Sequence, residues 1–249
     1  MIMKAYRLGD LARREPGENK RSVMVLAKPD QSATAQTRAR YQRLSAMYDC
    51  MEGLAEPRYA PWRRCLWSQV RGPKILEVGV GTGKNMPYYP VGLPITAIDL
   101  TPGMLEQARK RAAALKLDID LRLGDVQALN YPDACFDTAV ATFVFCSVPD
   151  SILGLRELAR VVKPGGQVLL LEHMRSSNSV IGAMMDFLNP LVVRMMGANI
   201  NRRTLENVER SGLIIEHVED LRIGGIFKLI YARVADYPFS IRHQGVPTS

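Results

Sequence analysis

The sequence predicts an α/β domain in which helices cover both faces of a mostly parallel sheet. The apolar run Ile75–Val78 is followed by Gly79, Gly81 and Gly83, a pattern typical of a buried parallel strand that turns sharply at a ligand. Apolar runs and helical patterns then alternate as far as Glu172. A length of 249 residues, with 47% hydrophobic and 23% charged content, suits one such domain with extensions.

The individual elements follow from apolar periodicity and from capping residues. Strands are predicted at Ile75–Val78, 95–98, 119–123, 136–141, 167–172, 213–218 and Phe227–Arg233, and helices at 37–54, 59–70, 101–116, 149–162 and 201–211. A further helix is expected to begin at Lys84, directly after the glycines. Thr101 is placed to cap the helix that Pro102 opens. The last two strands should form a closing hairpin.

The formal charge of +8 favours anionic partners, which are nucleic acid, acidic lipid head groups or acidic substrates. Because no basic patch is interleaved with stacking aromatic residues, we do not expect nucleic acid to be the partner. The four cysteines show neither C-x-x-C spacing nor a zinc pattern, which indicates free thiols in a reducing compartment and no metal site. The sequence leaves the oligomeric state open.

Four segments divide the chain. Residues 1–35 are basic and lack periodicity, so we expect a mobile arm or a helix that orders on a partner. Residues 36–72 are predicted to form a helical lid that contacts the membrane, residues 73–235 the main domain, and residues 236–249 a tail. No apolar run is long enough to span a bilayer, and no signal-peptide core is present. The expected location is the cytoplasm, peripherally at the inner face of the membrane.

The glycine turn differs from a dinucleotide-binding turn in two respects. Its spacing is G-x-G-x-G, without the third glycine of the dinucleotide fingerprint at its usual place. Glu77 stands at the strand end, where a carboxylate would repel a pyrophosphate and suit a cationic ligand. The segment from Glu77 to Gly83 resembles the first motif of the class I S-adenosylmethionine (SAM) dependent methyltransferases, and residues 156–166 also match that family.

This resemblance covers residues 41–234 and implies a fold, a cofactor and a cofactor site. The implied fold is a Rossmann-like sheet of seven strands, six parallel and one antiparallel, and the implied cofactor is SAM, with S-adenosylhomocysteine as its product. Asp99 ends a strand about 20 residues after the turn, where an acidic residue accepts from both ribose hydroxyls. By resemblance, Asp125 accepts from the adenine amine. The full predicted set is Glu77, Gly79, Gly81, Gly83, Asn85, Asp99, Leu100, Met104, Asp125, Val126 and Thr142.

Three residues are candidates for removing a proton from the methyl acceptor. His173 stands at the carboxyl end of the fifth strand, where polar residues face the ligand crevice, and its usual pKa suits proton removal near neutral pH. The alternative is a structural histidine whose hydrogen bonds are satisfied. Tyr41 and Tyr48 belong to a string that resembles the N-terminal signature of small-molecule and lipid methyltransferases, in which such tyrosines close over SAM or contact the substrate.

The residues after the fourth strand indicate the class of acceptor. Methyltransferases of DNA base amines carry Asn or Asp, two prolines and an aromatic residue there, whereas this chain has an apolar run over residues 142–149. We therefore expect a bulky, apolar acceptor. The glycine turn at 77–83 together with residues 147–150 resembles the soluble bacterial phosphatidylethanolamine N-methyltransferases. Residues 85–90, 146–148, 172–173 and 197–202 resemble the membrane-bound alkyl-thiol methyltransferases. The phospholipid amine is our first hypothesis, with thiol S-methylation, quinone C-methylation or a SAM-binding membrane-surface regulator as alternatives.

Basic and amphipathic segments suggest how such an acceptor would be held. The helix predicted at 37–54 carries arginines beside an apolar face, which favours either a membrane-surface helix or a lid packed on the core. Residues 179–200 are rich in Met and Leu, which suits an apolar pocket, an interfacial segment or a core helix. The residues predicted to hold the lipid phosphate are Arg38, Arg40, Arg43, Arg202 and Arg203.

Overall fold

The computed structural model describes residues 23–221, 225–236 and 240–243. The strands are Val23–Leu26 (β1), Ile75–Val78 (β2), Ile95–Asp99 (β3), Asp120–Leu123 (β4), Phe136–Thr142 (β5), Val162–His173 (β6), Ile214–Asp220 (β7), Phe227–Arg233 (β8) and Ser240–His243 (β9). The helices are Gln31–Leu44 (α1), Tyr48–Gly53 (α2), Glu56–Ser68 (α3), Pro102–Ala114 (α4), Ser151–Val161 (α5), Ser179–Met196 (α6) and Thr204–Ser211 (α7). Residues 1–22 of the predicted arm and most of the predicted tail lie outside the described residues.

Seven strands form the central sheet in the order β4-β3-β2-β5-β6-β8-β7. β8 is antiparallel to both of its neighbours, and the other adjacent pairs are parallel. The predicted fold class, six parallel strands and one antiparallel strand flanked by helices, is confirmed. Because β2 lies between β3 and β5, the strand order reverses there, and doubly wound sheets bind ligands beside such a point, at the carboxyl ends of the strands.

Both faces of the sheet are covered, which explains why its central strands are almost continuously apolar. Leu76 and Leu170 pack on the face that α5 and α7 cover, whereas Ile75 and Leu171 pack on the face that α3 and α4 cover. These four side chains are at most 1% exposed. Truncating a leucine in such a layer to alanine costs about 2–5 kcal/mol. The strands are therefore a rigid support for the loops at their ends.

The helix expected to begin at Lys84 is wrong. The chain makes only a short 3-10 turn at Met86–Tyr88, and Tyr89 is extended, with φ −62° and ψ 137°. Pro90 explains the difference, because a proline disfavours the helical region for the residue before it. In this extended conformation the Tyr89 hydroxyl reaches back to Glu77 at the end of β2.

The N-terminal boundary also differs from the prediction. The helix predicted at 37–54 is divided into α1 and α2, and α1 begins at Gln31, inside the segment expected to be a mobile arm. Asp30 caps α1 because its carboxylate accepts from the backbone N–H groups of Ser32 and Ala33. β1, in the same segment, pairs in parallel with β9 of the predicted tail.

The apolar segment predicted at 179–200 forms one helix, α6, which continues through Pro190. Asn178 caps it by accepting from the N–H groups of Val180 and Ile181. Gly197 ends it at φ 81°, a left-handed conformation that glycine adopts without strain. No helix in the described ranges is long and apolar enough to cross a bilayer.

Candidate active site

The glycine turn after β2 is shaped by two neighbouring loops. Gly79 and Gly81 have φ values of 65° and 56°, which other residues adopt only with strain. A Cβ on Gly79 would lie 2.5 Å from Val144 Cγ2, so the loop after β5 packs directly on the turn. The N–H of Gly81 donates to Asp99 Oδ2 at 2.9 Å, which ties the turn to the end of β3.

Glu77 supports this turn from inside the domain. Its buried carboxylate accepts from Asn85 Nδ2 at 2.6 Å and from the Tyr89 hydroxyl. Asn85 Nδ2 also donates to Thr142 Oγ1 at 3.0 Å, and its Oδ1 accepts from Arg63 at 2.9 Å. Burial raises the pKa of Glu77 to about 7, although these hydrogen bonds oppose the rise. The cluster fixes the conformation of the strand end and of the turn.

A cavity opens at the carboxyl ends of β2, β3, β4 and β5, beside α1 and α2. Ten of the predicted site residues line it: Tyr41, Tyr48, Gly79, Gly81, Asp99, Leu100, Met104, Asp125, Val126 and Thr142. Glu77, Gly83 and Asn85 are not part of this wall. The other lining residues are Thr37, Ile98, Thr101, Gly124, Gln127, Phe143, Val144, Ser147, Val148 and Pro149.

Two carboxylates stand in the wall at the ends of adjacent strands. Asp99 also accepts from the N–H of Thr101 at 2.9 Å, and burial raises its pKa against the effect of its backbone hydrogen bonds. Asp125 accepts from the backbone N–H of Gln127 at 2.9 Å and from its side-chain amide at 3.1 Å. The same amide donates to Thr34 of α1 at 3.1 Å. None of the described lining residues is Lys, Arg or His, so the cavity favours cationic or neutral ligand groups.

Polar contacts hold α1 over the cavity. The Tyr41 hydroxyl lies 2.5 Å from Ser147 Oγ, and Gln42 Oε1 accepts from the N–H of Gly103 at 2.9 Å. Only Thr34 of this helix is buried, so α1 is held by hydrogen bonds more than by apolar packing. The sequence pattern predicts the two tyrosines as site residues but not Gln42 or Ser147. The available signal was the Ser147 hydroxyl, which stands with that of Thr142 in the otherwise apolar run 142–149.

Glu172 holds the loop between β5 and α5 from behind the cavity wall. Its Oε1 accepts from the N–H groups of Val144 and Phe145 at 2.8 and 2.9 Å. Phe143 begins this loop at φ 57°, a strained conformation for a bulky residue. Burial raises the pKa of Glu172 to about 7. The sequence pattern pointed to the adjacent residue, His173, and not to this carboxylate.

His173 is not in the cavity wall. Phe143 lines the cavity, and the His173 ring packs against Phe143 and Phe227 with centroids 6.3 and 6.5 Å apart. The ring hydrogen-bonds the backbone of Asn199, yet burial lowers its pKa to about 4. A neutral, half-buried imidazole behind an aromatic ring is poorly placed to take a proton from an acceptor. Its Nε2 is buried and has no hydrogen-bond partner among the described residues, so the hydrogen bonds of the ring are only partly satisfied, which differs from the alternative of a fully satisfied structural histidine.

Arg202 and Arg203 are likewise absent from the cavity wall. Arg202 donates to the carbonyl oxygen of Val148 at 2.8 Å, and burial lowers its pKa. Arg203 pairs with Glu206 at 3.2 Å on the surface. Arg202 therefore supports the loop between β5 and α5, which does not agree with its predicted role in binding a lipid phosphate.

The three arginines of α1 also lie outside the cavity wall. Arg38 and Arg43 are exposed. Arg40 lies against the end of α6, because a Cβ on Gly197 would stand 2.4 Å from Arg40 Cδ. Any phosphate that these side chains bind would therefore lie at the surface of the protein.

Comparison with known proteins identifies the domain that contains this cavity. The family described as a methyltransferase domain matches residues 76–170, which include the glycine turn and both carboxylates. This match and the relatives below support a SAM-dependent methyltransferase domain in this part of the chain. The phosphatidylethanolamine N-methyltransferase of Cereibacter sphaeroides is 37% identical over 116 residues, which are 46% of this chain and 57% of that protein. The demethylmenaquinone methyltransferase of Deinococcus radiodurans is 33% identical over 146 residues, 56% of this chain and 61% of that protein.

The chain spans about three fifths of the length of the curated relatives it matches. Among solved structures, the [4+2]-cyclase SpnF superposes with a TM-score of 0.66 over 86% of this chain and 99% of that chain. The two sequences are 18% identical, so this likeness shows the fold alone.

The residues of the cavity fit SAM, the cofactor of this methyltransferase domain. Asp99 and Asp125 keep lone pairs beyond their backbone hydrogen bonds, which suits ribose hydroxyls and an adenine amine. A Cβ on Gly81 would meet only the Gly79 oxygen at 4.0 Å, so the backbone at this lining residue is open to a ligand. The lack of a cation among the described lining residues suits a sulfonium group. When bound, SAM would supply an electrophilic methyl group.

Proposed function

We propose that the protein transfers a methyl group from SAM to the head-group amine of phosphatidylethanolamine, at the inner face of the cytoplasmic membrane. One observation carries the proposal. Beyond the two carboxylates, the cavity wall consists of glycine backbone, aromatic rings, hydroxyl groups, the Gln127 amide and apolar side chains, with no cation among its described residues. The aromatic members are Tyr41, Tyr48 and Phe143, and the Ser147 hydroxyl lies beside that of Tyr41. The similarity to a phosphatidylethanolamine N-methyltransferase supports the same choice.

Such a wall suits an amine both before and after methylation. The hydroxyl oxygens of Tyr41 and Ser147 can accept hydrogens of an amine and orient its lone pair. The rings of Tyr48 and Phe143 offer π faces, and a cation over such a face gains about 0.5–2 kcal/mol. A lysine or arginine in the wall would oppose an ammonium group. The head-group phosphate would remain outside the cavity, because the described lining offers it no cation.

In this proposal the chain supplies position and a water-poor site. The ammonium form of the acceptor must lose a proton before its nitrogen can attack a methyl carbon. The described lining contains no imidazole, so in this proposal the ammonium group loses its proton to solvent water before it enters the cavity, where the tyrosine hydroxyls accept the hydrogen bonds of the neutral amine. α1 covers the cavity and limits the access of water to the acceptor.

A demethylated quinone is the second candidate acceptor. The demethylmenaquinone methyltransferase matches over a longer part of the chain, 146 residues against 116. The apolar lining residues Val144, Val148 and Pro149 suit a quinone ring as well as a lipid. Thiol S-methylation, and SAM binding by a membrane-surface regulator without turnover, are the further alternatives.

Methyl transfer from methyl-labelled SAM tests these candidates directly. Three vesicle preparations of phosphatidylcholine would carry phosphatidylethanolamine, a demethylated menaquinone or a long-chain alkyl thiol. We expect label in phosphatidylethanolamine at a rate at least about tenfold above the other two. If label appeared only in the quinone or the thiol, that compound would be the acceptor, and the amine proposal would be wrong. Absence of label from a protein that binds SAM would favour the regulator.

A further inference from the structure

The solvent-facing side of α6 is apolar. Val180, Met184, Phe187 and Leu191 are 77%, 55%, 83% and 56% exposed. Their spacing of four, three and four residues puts them on one face of the helix. A surface helix of a globular domain normally turns such a face toward the core, and an exposed one marks an interaction site. We refer to these four residues as the α6 stripe.

The acidic charge of α6 is held away from this stripe. Asp186, the one acidic residue of the helix, pairs with Arg175 at 2.9 Å and accepts from Asn201 at 3.1 Å. Arg194 follows Leu191 by three residues and is exposed, so it continues the same face. The stripe is therefore uninterrupted by charge until it ends at a cation.

Positive charge surrounds the C-terminal end of the stripe. Arg194 lies in the last turn of α6, and Arg40 of α1 lies against Gly197, which ends the helix. Arg38 and Arg43, also on α1, are exposed. Within the described ranges, none of these four arginines pairs with a carboxylate, and the whole chain has a formal charge of +8. Uncompensated cations beside an apolar stripe complement an anionic lipid surface.

The end of α6 is joined to the cavity wall. Asn199 donates to the carbonyl oxygen of Cys146 from its backbone N–H at 3.0 Å and from its side chain at 3.1 Å. Arg202 donates to the carbonyl oxygen of Val148, which lines the cavity. A surface on which α6 rests would therefore stand in a fixed relation to the part of the cavity that we assign to the acceptor.

We propose that the α6 stripe is the surface by which the protein lies on a bilayer of anionic phospholipid. The four apolar side chains enter the interfacial layer, and Arg194, with the arginines of α1, contacts the head groups. The proposal builds on the membrane-embedded acceptor proposed above. The α6 stripe, and not the helix predicted at 37–54, is then the main apolar contact. α1 exposes arginines but no large apolar side chain, so it contributes only charge to lipid binding.

Sedimentation with vesicles tests this surface without turnover. The vesicles would contain phosphatidylcholine with or without phosphatidylglycerol, and no phosphatidylethanolamine. The stripe variant carries Phe187→Ser and Leu191→Ser. The control variant carries Val91→Ser and Leu115→Ser, two exposed apolar residues elsewhere, at 101% and 42% exposure. We expect the stripe variant to bind the anionic vesicles about tenfold or more weakly, and the control variant to bind like the wild type.

Three results would overturn the proposal: equal vesicle binding by the stripe variant and the wild type, no preference of the wild type for anionic vesicles, or a wild-type dimer that the stripe variant dissociates. The dimer would show that a second copy covers the stripe. Short-chain phosphatidylethanolamine below its micelle concentration separates this question from the acceptor, because its turnover needs no docking, and the stripe variant should retain it. If vesicle binding depended on the stripe but no acceptor were methylated, the docking surface would be supported and the proposed function would be wrong.

Discussion

The Tyr41 hydroxyl lies 2.5 Å from the Ser147 hydroxyl and joins the covering helix α1 to the loop that follows β5. Both residues line the cavity, although 106 positions separate them in the chain. In the proposed function this pair is within reach of the acceptor amine. Its hydroxyls would either orient the amine or take part in proton transfer, and these two roles differ in the size of the effect that a mutation produces.

Replacing Tyr41 with phenylalanine should slow methyl transfer by about two- to tenfold. Loss of one neutral hydrogen bond costs about 0.5–1.5 kcal/mol, which corresponds to that range. Removal of a group that transfers the proton would instead cost about a hundredfold or more. Single-turnover rates with saturating SAM distinguish the two outcomes.

Ser147→Ala is the matched control for this prediction. If the two hydroxyls act through their mutual contact, the double variant should lose little more than either single variant. If the losses in rate of the two single variants add up fully in the double variant, each hydroxyl acts independently of the other. The orienting role of the pair would then be rejected.

Asp99→Asn should weaken SAM binding by about 10- to 100-fold. The carboxylate accepts from the N–H groups of both Gly81 and Thr101, and an amide group would turn a donor toward one of them. Hydrogen bonds to charged groups are worth about 1.5–3 kcal/mol. Isothermal titration with SAM measures the loss. Asp120→Asn, an exposed carboxylate on the adjacent strand, is the control and should bind SAM normally.

The strands and the glycine turn could be predicted because their signals are local. A buried parallel strand is apolar at successive positions, and Ile75–Val78 is such a run. The ends of those strands then bring Asp99 and Asp125 together, since the carboxyl ends of parallel strands share one edge of the sheet.

Contacts between distant segments could not be predicted in the same way. Glu172 was visible as a polar residue at a strand end, but its partners lie 27 and 28 residues earlier in the chain. Adjacent strand residues point to opposite faces of the sheet, so the sequence alone does not show which of them faces the cavity. Here Glu172 is buried behind the loop, and His173 packs on Phe143. Arg202 differs from its predicted role for a related reason, because charge alone does not show whether a side chain binds a ligand or, as here, a backbone carbonyl.

Glu172→Gln should remove a pH dependence of stability. Burial raises the pKa of this carboxyl from 4.5 to about 7, so the folded state holds its proton more tightly than the unfolded state. The resulting stability is fully present below pH 4.5 and is lost as the pH rises through about 7. Relative to the variant, the wild type should lose about 1 kcal/mol of unfolding free energy between about pH 6 and about pH 8.5.

Urea unfolding of both proteins across this pH range measures the effect. Glu77, whose pKa is also raised to about 7, contributes with the same sign in both proteins and therefore cancels in the comparison. Glu77→Gln provides a second, independent comparison of the same kind. Parallel pH profiles for wild type and Glu172→Gln would show that Glu172 has no raised pKa in the folded protein.

His173→Asn should leave the shape of the pH–rate profile unchanged and should alter stability in acid. Burial lowers the pKa of His173 from 6.5 to about 4, so the unfolded state binds the proton more tightly. The stability of the neutral ring is therefore present above pH 6.5 and is lost as the pH falls toward 4. The wild type should lose about 2 kcal/mol of unfolding free energy between about pH 7 and about pH 5, and the variant should not.

If His173 were the general base, the His173→Asn variant would instead lose a hundredfold or more in kcat/KM. The acidic limb of its pH–rate profile would also move.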